Sequence, residues 1–133
     1  MFKPIRKLGK GNFATVYEAR RVTDDQHFAV KAFSKQNSYS SKNGRESLIN
    51  ELTILRSLNS NPHPNVLKLE AVYESDNSIY VVLELLIGRT LYQVVQERKG
   101  VFSPEEVKYI MGGLLQGLAH MEKHRIAHRD LKP

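Results

Sequence analysis

The sequence predicts an α+β fold, in which a five-stranded antiparallel sheet with one packed helix is followed by the first helices of a helical unit. Three observations predict it. Strand-like stretches fill residues 2–33 and 66–85, and short strands joined by tight turns are typical of antiparallel sheets. Apolar residues at helical spacing occupy the segment between them. After Gly88, the periodic stretches are helical.

The composition is that of a globular domain. The chain has 133 residues, of which 41% are hydrophobic and 26% charged, so we expect a packed core. It has no Cys, which excludes a disulfide framework and a thiolate metal site. The lysines and arginines behind the net charge of +6 are scattered rather than gathered on one helix face. We therefore expect no nucleic-acid partner.

The hydropathy pattern gives no sign of a membrane protein. The N-terminal residues lack the apolar segment of a signal peptide. The longest apolar run, residues 79–88, is interrupted by Glu84 and is shorter than the roughly 20 residues that a spanning helix needs. We expect no membrane span and, since the chain lacks Cys, a cytoplasmic location.

Residues 2–34 predict three strands. FKPIRKL, residues 2–8, leads into a glycine-containing turn at KGNFA, residues 10–14. TVYEARRV, residues 15–22, alternates apolar and polar side chains, and after the turn TDDQ the same holds for HFAVKAF, residues 27–33. Such a pattern indicates an antiparallel meander.

The next segment predicts a loop, a helix and two strands. Residues 34–44 are polar and Ser-rich, which favours a loop. From Arg45 the apolar residues follow helical spacing, and Asn43 and Glu46 have the spacing of a capping box. Prolines within residues 59–65 end this helix. VLKLEAVYE and SIYVVLEL then read as a strand pair, the last in the sheet.

Two helices are expected after Gly88. The first covers residues 90–99. The second begins at SPEE, with Ser103 as N-cap, Pro104 at the first helical position and Glu106 at capping-box distance. It carries one apolar stripe: Val107, Ile110, Met111, Leu114, Leu115, Leu118 and Met121. We place a domain boundary near residues 84–90, where Gly88 offers flexibility, giving units 1–86 and 87–133.

The glycine turn is the first candidate site. Gly9 and Gly11 would let the backbone approach a phosphate and offer its N–H groups without a Cβ in the way. Alone, such a turn is explained equally well by a plain hairpin. A dinucleotide-binding fold needs a helix directly after the glycines, whereas the residues that follow here are strand-like.

Lys31 is the second candidate, because it stands in the middle of an apolar strand. Burying an ammonium without a partner is costly. One alternative is an edge strand from which Lys31 reaches water. The other is that Lys31 binds phosphate oxygens and is held by a carboxylate. Glu51 fits that role, since it lies four residues before Leu55 and hence near the inward face of the helix.

The third candidate is HRDLKP, residues 128–133. Asp130 and Lys132 could form an ordinary surface salt bridge, worth about 0–1 kcal/mol. Together with the other two sites they suggest phosphoryl transfer. Asp130 would accept a hydroxyl proton or orient the attacking oxygen, and Lys132 would stabilise charge on the transferred group.

These three motifs, in this order, resemble those of the protein kinase family, and the resemblance runs the length of the chain. GKGNFATVYEA is similar to the Gly-rich loop, FAVKAF to the strand with the phosphate-binding Lys, and HRDLKP to the catalytic loop. The resemblance implies a protein-kinase-like fold, with an N-terminal lobe over residues 1–86. The start of the C-terminal lobe would occupy residues 87–133.

The resemblance also implies an ATP site. Gly9 and Gly11 would cover the phosphates, Lys31 would bind them and pair with Glu51, and Asp130 and Lys132 would act at the reacting centre. The adenine would be contacted by Leu8, Val16, Ala29, Leu83, and the backbone of Glu84 and Leu86.

The implied activity is transfer of phosphate from ATP to Ser or Thr hydroxyls of protein substrates. Lys132 points to this specificity, because tyrosine kinases usually replace it. The family's Mg²⁺ ligands, an Asn and the Asp of DFG, are not in the sequence, so we expect the 133-residue chain alone to be inactive. An alternative is a pseudokinase that binds nucleotide or a partner without transfer. Lys31, Glu51 and Asp130 are all present, which counts against it.

Overall fold

The computed structural model of the protein describes residues 1–11, 14–40 and 42–133. In these ranges the elements are β1 (Phe2–Lys10), β2 (Ala14–Arg21), β3 (His27–Ser34), α1 (Lys35–Tyr39), α2 (Lys42–Asn59), β4 (Leu69–Glu74), β5 (Ser78–Glu84), α3 (Leu91–Glu97) and α4 (Pro104–Lys123). The strands form one antiparallel sheet in the order β1-β2-β3-β5-β4. The predicted fold class, a five-stranded antiparallel sheet with helices, is confirmed.

The sheet has two apolar faces, because side chains alternate along each strand. The helix-side face packs against α2, and its core consists of Phe33, Leu48, Ile79, Val81 and Leu83. The opposite side, here the outer face, has a second core of Ala19, Phe28, Val30 and Val82. The ring of Phe2 in β1 lies 5.8 Å from that of Tyr73 in β4. These strands are the two edges of the sheet, so the sheet is strongly curled toward its outer face.

The loop predicted for residues 34–44 is wrong in part, because α1 occupies Lys35–Tyr39. Ser34 caps this helix by accepting a hydrogen bond from the N–H of Asn37, and Ser38 is fully buried. Ser-rich composition favours turns and caps, but the burial of Ser38 against neighbouring elements is a tertiary effect that outweighs this preference. The predicted start of α2 is also wrong.

The second helix begins at Lys42 and not at Arg45, so Asn43 lies inside it and is not its N-cap. The sequence suggested a later start because Gly44 is a poor helix former in an interior position. Gly44 is buried, so packing holds it in the helix. The predicted end before the prolines is confirmed, since α2 ends at Asn59.

The strand predicted from residue 66 begins only at Leu69. Residues before it belong to a turn, in which the N–H of Val66 donates to the carbonyl of His63 at 3.1 Å. Asn59 then fixes the start of the strand. Its side-chain oxygen accepts from the N–H of Leu69 at 2.8 Å, and its amide nitrogen donates to the carbonyl of Leu67 at 3.3 Å.

The capping prediction for α4 is confirmed. Ser103 and Glu106 form a reciprocal capping box, and Pro104 opens the helix. The apolar stripe is largely solvent-facing, with Val107, Met111, Leu114 and Leu115 all exposed. None of the described helices combines the length and hydropathy that crossing a membrane would require.

The fourth helix meets the turn after α2 through glycines. A Cβ built on Gly117 would lie 2.7 Å from the carbonyl oxygen of Asn65, closer than side chains approach backbone atoms. Beside this contact, the centroid of the His120 ring lies 5.0 Å from that of His63 and 4.8 Å from that of His124, with the ring planes tilted. His120 is buried, and its Nε2 lies 3.2 Å from the carbonyl oxygen of Leu58. The close approach of the Asn65 carbonyl oxygen to Gly117 requires a small residue at position 117.

We expect Gly117→Ala to lower the free energy of unfolding by about 1–3 kcal/mol, the usual cost of forcing an extra carbon into a packed contact. Gly112→Ala is the matched control, because a Cβ there meets no atom within 4 Å in the same helix. That variant should be neutral or gain up to about 1 kcal/mol, since Ala is the better helix former. Urea unfolding measures both changes. Equal stability of the two variants would rule out the close contact.

Candidate functional site

Lys31 lies in the centre of the sheet, because β3 is flanked by β2 and β5. The edge-strand alternative is therefore wrong. Its Nζ lies 2.5 Å from Oε1 of Glu51 in α2. The two side chains are 28% and 33% exposed, so the pair is partly buried and open to one side. The predicted meeting of this ammonium and this carboxylate is confirmed.

Local structure explains why Glu51 reaches the sheet. The helix packs on the sheet through Leu48, Leu52 and Leu55. Glu51 is one turn from Leu48 and Leu55, so its side chain leaves the helix beside the same face. The Lys31 ammonium also lies 5.0 Å from the centroid of the Phe33 ring, a cation–π distance. Packing and charge together hold the ammonium beneath the hairpin of β1 and β2.

A cavity of about 460 Å³ surrounds the pair. Its walls include Gly9, Gly11 and Val16 from the hairpin, with Lys31 and Glu51. Sequence reasoning missed its other lining residues: Lys10, Ala14, Phe33, Gly44, Ser47 and Leu48. Gly44 was missed because the predicted helix started only at residue 45, and Ser47 was missed because a single polar residue in a helix does not indicate a cavity. The cavity unites the first two candidate motifs.

The glycine turn contributes backbone without side chains. Asn12 and Phe13, at the tip of the predicted turn, lie outside the described residues. The N–H of Gly11 donates to the carbonyl of Ala14 at 2.8 Å. Neither Gly9 nor Gly11 has a left-handed φ, and a Cβ on either would meet no neighbour closer than 3.7 Å. Folding of the described residues thus does not demand glycine at either position, and the free space faces the cavity.

Strand pairing places the remaining apolar candidates. Val16 is opposite Lys31, and Ala29 is opposite Leu83, so all of them share the helix-side face. Leu83 is buried, whereas Leu8 is 42% exposed. Leu8, Ala29 and Leu83 do not line the cavity around Lys31. Ala29 and Leu83 extend the same face toward the end of β5, and Leu8 lies at an irregularity of β1.

The segment after β5 has polar backbone groups available for a ligand. The N–H of Glu84 is already used, because it donates to the carbonyl of Lys68 at 3.0 Å. A ligand could therefore reach the Glu84 backbone only at its carbonyl oxygen. Leu86 is 72% exposed, and among the described residues its backbone has no hydrogen-bond partner.

The HRDLKP motif forms its own small cluster. Nζ of Lys132 lies 3.1 Å from Oδ2 of Asp130, and both side chains are almost three-quarters exposed. The N–H of Asp130 donates to Nδ1 of His128 at 3.2 Å. Arg129 has a φ of 65°, a conformation that costs energy for a residue with a side chain. Neither Asp130 nor Lys132 lines the cavity around Lys31.

A cluster of charged and imidazole side chains around Glu18 was not predicted from the sequence. Glu18 is opposite Ala29 and only 8% exposed. Its carboxylate lies 2.8 Å from Nδ1 of His27 and 2.6 Å from Nε of Arg6. Hydrogen bonds from His27 and then Arg6 hold the pKa of Glu18 below its usual 4.5. The alternating pattern around Glu18 gave no hint of this, because partners on other strands are not visible in one strand's sequence.

The lowered pKa of Glu18 makes stability depend on pH. The charged carboxylate stabilises the fold above 4.5, the ordinary value, and this contribution is lost as pH falls through the lower folded-state pKa. We expect Glu18→Gln to unfold at lower urea than the parent at about pH 7, with a gap that narrows below about pH 4.5. Urea midpoints across this range test it. A gap that stayed constant with pH would contradict the charge effect.

The acidic and imidazole side chains are too dispersed to form a metal centre in the part of the chain that the structure describes. There, no group of three or more His, Cys, Asp or Glu side chains is arranged to hold a metal ion. The polar residues that line the cavity are instead Lys10, Lys31, Ser47 and Glu51, beside the glycines of the turn.

The chain is similar to known proteins along its whole length. A family described as "Protein kinase domain" matches residues 2–133. The chain is 38% identical over 131 residues to "Serine/threonine-protein kinase polo" of Drosophila melanogaster, covering 98% of this chain and 22% of that protein. It is 39% identical over 129 residues to "Serine/threonine-protein kinase DCLK3" of Homo sapiens, covering 96% of this chain and 19% of that protein.

A third relative is "Serine/threonine-protein kinase PLK4" of Danio rerio, which is 36% identical over 131 residues, 98% of this chain and 13% of that protein. The chain thus spans less than a quarter of the length of these relatives. The similarity extends across both units proposed from the sequence.

Proposed function

The chain belongs to the protein kinase family, and we propose that the protein transfers the γ-phosphoryl group of ATP to Ser and Thr hydroxyls of protein substrates. Such transfer depends mostly on positioning and on charge stabilisation, with little covalent chemistry for the protein to perform. Two pairs of residues are proposed for these tasks, Lys31 with Glu51 and Asp130 with Lys132.

The observation that carries the proposal is the 2.5 Å ion pair between Lys31 and Glu51 under the glycine turn. An ammonium held by one carboxylate keeps a fixed position and retains further N–H groups for phosphate oxygens. Gly9 and Gly11 would let the backbone close over those oxygens, and the space beside them supports this role. ATP phosphates therefore suit this cavity in charge and shape.

The adenine is proposed to lie farther along the helix-side face. Leu8, Val16 and Ala29 would cover the ring, and Leu83 would limit the depth of the pocket. Its polar edge would meet the carbonyl of Glu84 and the backbone of Leu86. The N–H of Glu84 already has a partner, whereas the Leu86 backbone has none among the described residues. Both observations support an acceptor at Glu84 and a donor at Leu86.

Asp130 and Lys132 are proposed to act on the substrate hydroxyl. The Asp130 carboxylate would accept the hydroxyl proton or orient the oxygen toward the γ-phosphorus. The Lys132 ammonium, 3.1 Å away, would offset charge on the transferred group. The backbone at Arg129 supports a positioned Asp130, since strained conformations cluster at functional sites.

We assign nucleotide binding and protein-substrate binding to different units. Residues 1–86 would bind the nucleotide, and residues 87–133 would begin the unit that receives the protein substrate. Exposed backbone at Leu86 and the positive φ of Gly88, 131°, support a hinge between them.

Radiolabelled transfer tests the proposal on the protein encoded by the complete gene. The protein is incubated with γ-labelled ATP, Mg²⁺ and a mixed protein substrate, and the labelled amino acids are identified after hydrolysis. Label is expected in phosphoserine and phosphothreonine. Label confined to phosphotyrosine would overturn the specificity, and ATP binding without any transfer would favour the pseudokinase alternative.

A further inference from the structure

The outer face of the sheet holds a groove that the proposed activity does not use. Its volume is about 750 Å³, within the range of ligand pockets. All five strands contribute to its walls, which include Phe2, Pro4, Tyr17, Val30, Tyr73 and Tyr80. Tyr73 and Tyr80 are exposed to solvent there. The curl of the sheet makes this face concave, so the groove is a consequence of the fold.

The groove lies on the opposite side of the sheet from Lys31. Its floor residues Val30 and Ala32 are the neighbours of Lys31 in β3, and adjacent residues of a strand point to opposite faces. Occupation of the groove would therefore leave the proposed ATP cavity free. The two sites are separate.

Lys7 places a positive charge beside the apolar groove. The described lining of the groove contains no charged side chain. Lys7 is opposite Tyr17, a groove residue, so Lys7 lies on the outer face of β1. Among the described residues, Lys7 has no carboxylate within ion-pair distance.

Three acids near the groove are already paired with cations. Asp24 and Glu70 both pair with Arg21, which lies over the Phe28 ring on the outer face. Glu74 pairs with Lys35 at 2.6 Å. In the part of the chain that the structure describes, Glu84, opposite Phe28, has no cation partner, but its Oε1 accepts a hydrogen bond from the N–H of Lys68 at 2.7 Å. Lys7 is a cation of this rim that has no counter-charge among the described residues.

We propose that this groove is a docking site for an acidic segment of a partner protein that inserts one bulky apolar side chain. An apolar, Tyr-rich centre with a polar rim is the usual arrangement at protein interfaces, where one aromatic anchor supplies much of the affinity. A carboxylate beside the anchor would meet Lys7. Attachment as an extra strand is disfavoured, because Pro4 and two irregularities in β1 interrupt its edge.

A capped peptide, Asp-Glu-Trp-Glu-Asp, tests the proposal on the protein from the complete gene. The 133 residues contain no Trp, so the anisotropy of the peptide's Trp reports binding once any Trp elsewhere in the complete protein is replaced by Phe. Saturable binding is expected, weakened by salt because the charges are exposed. A peptide with Lys in place of the four acids should bind at least about tenfold more weakly.

Two substitutions on the same strand locate the binding. Lys7→Glu should weaken binding of the acidic peptide by about tenfold or more. Lys3→Glu should leave the affinity unchanged, since Lys3 is opposite Arg20 on the other face. Ala32→Phe should also weaken binding by filling the groove, and Lys7→Glu keeps the test valid should that variant fail to fold. Equal loss in Lys3→Glu and Lys7→Glu would overturn the proposal. Loss in Leu115→Glu alone would place the peptide on α4 and overturn it as well.

Discussion

Asp130→Asn is expected to lower kcat for phosphoryl transfer by about 100- to 10,000-fold, the range that general base catalysis contributes. The amide keeps the size of the side chain and its place beside Lys132, which lies 3.1 Å from the carboxylate. It cannot accept the hydroxyl proton. The affinity for ATP should remain within about twofold, because the phosphate contacts proposed for Lys31 are untouched. Steady-state kinetics and equilibrium dialysis with ATP measure the two quantities.

Asp76→Asn is the control for this change. Asp76 is an exposed Asp in the turn between β4 and β5, so the same loss of charge occurs outside the proposed site. It should transfer phosphate at the parent rate. If Asp130→Asn kept more than about a tenth of the parent kcat, Asp130 would not be the catalytic base.

Lys31→Met is expected to lower kcat/KM by about 100- to 1,000-fold, as when one preorganised donor is removed from a developing charge. Met fills similar volume in the strand but offers no N–H group to phosphate. Glu51→Gln should have a smaller effect, because the ammonium remains and only its anchor is weakened. Since Glu51 acts through Lys31, the double variant should be no worse than Lys31→Met alone. Kinetics of the four proteins test this non-additivity.

The pair of Lys35 and Glu74 provides a matched control. It joins an ammonium and a carboxylate at 2.6 Å, and the hydrogen bond that Lys35 donates to Glu74 raises the pKa of Lys35. Lys35→Met removes the same kind of ion pair without touching the cavity. Its activity should match the parent. Additive losses in the Lys31 and Glu51 variants would show that each side chain acts independently.

Most of the secondary structure followed from local patterns. Alternation in β2 and β3 and the capping box at Ser103 and Glu106 predicted elements that the fold confirms. The secondary-structure predictions were wrong where tertiary packing outweighed the local conformational preference of the residues. Ser38 is buried in a helix that Ser-rich composition argued against, and Gly44 is held inside α2.

The side-chain contacts of the candidate site were likewise predicted only in part from the sequence. Lys31 and Glu51 were predicted to meet because a charge in an apolar strand requires a partner and the helix offered one at the right spacing. Glu18, with its partners from two other strands, was not found. Its contacts depend on register between strands, which a single strand's pattern does not contain.

By itself, the sequence determined the fold class, the order of the strands along the chain, and the residue types able to handle phosphate. These depend on periodicity and on chemistry that each segment carries locally. Only the tertiary structure decided that β3 is central, that Gly117 must be small beside Asn65, and that the sheet curls into a groove. Such features arise from contacts between segments distant in sequence, where close packing leaves little tolerance for one extra carbon.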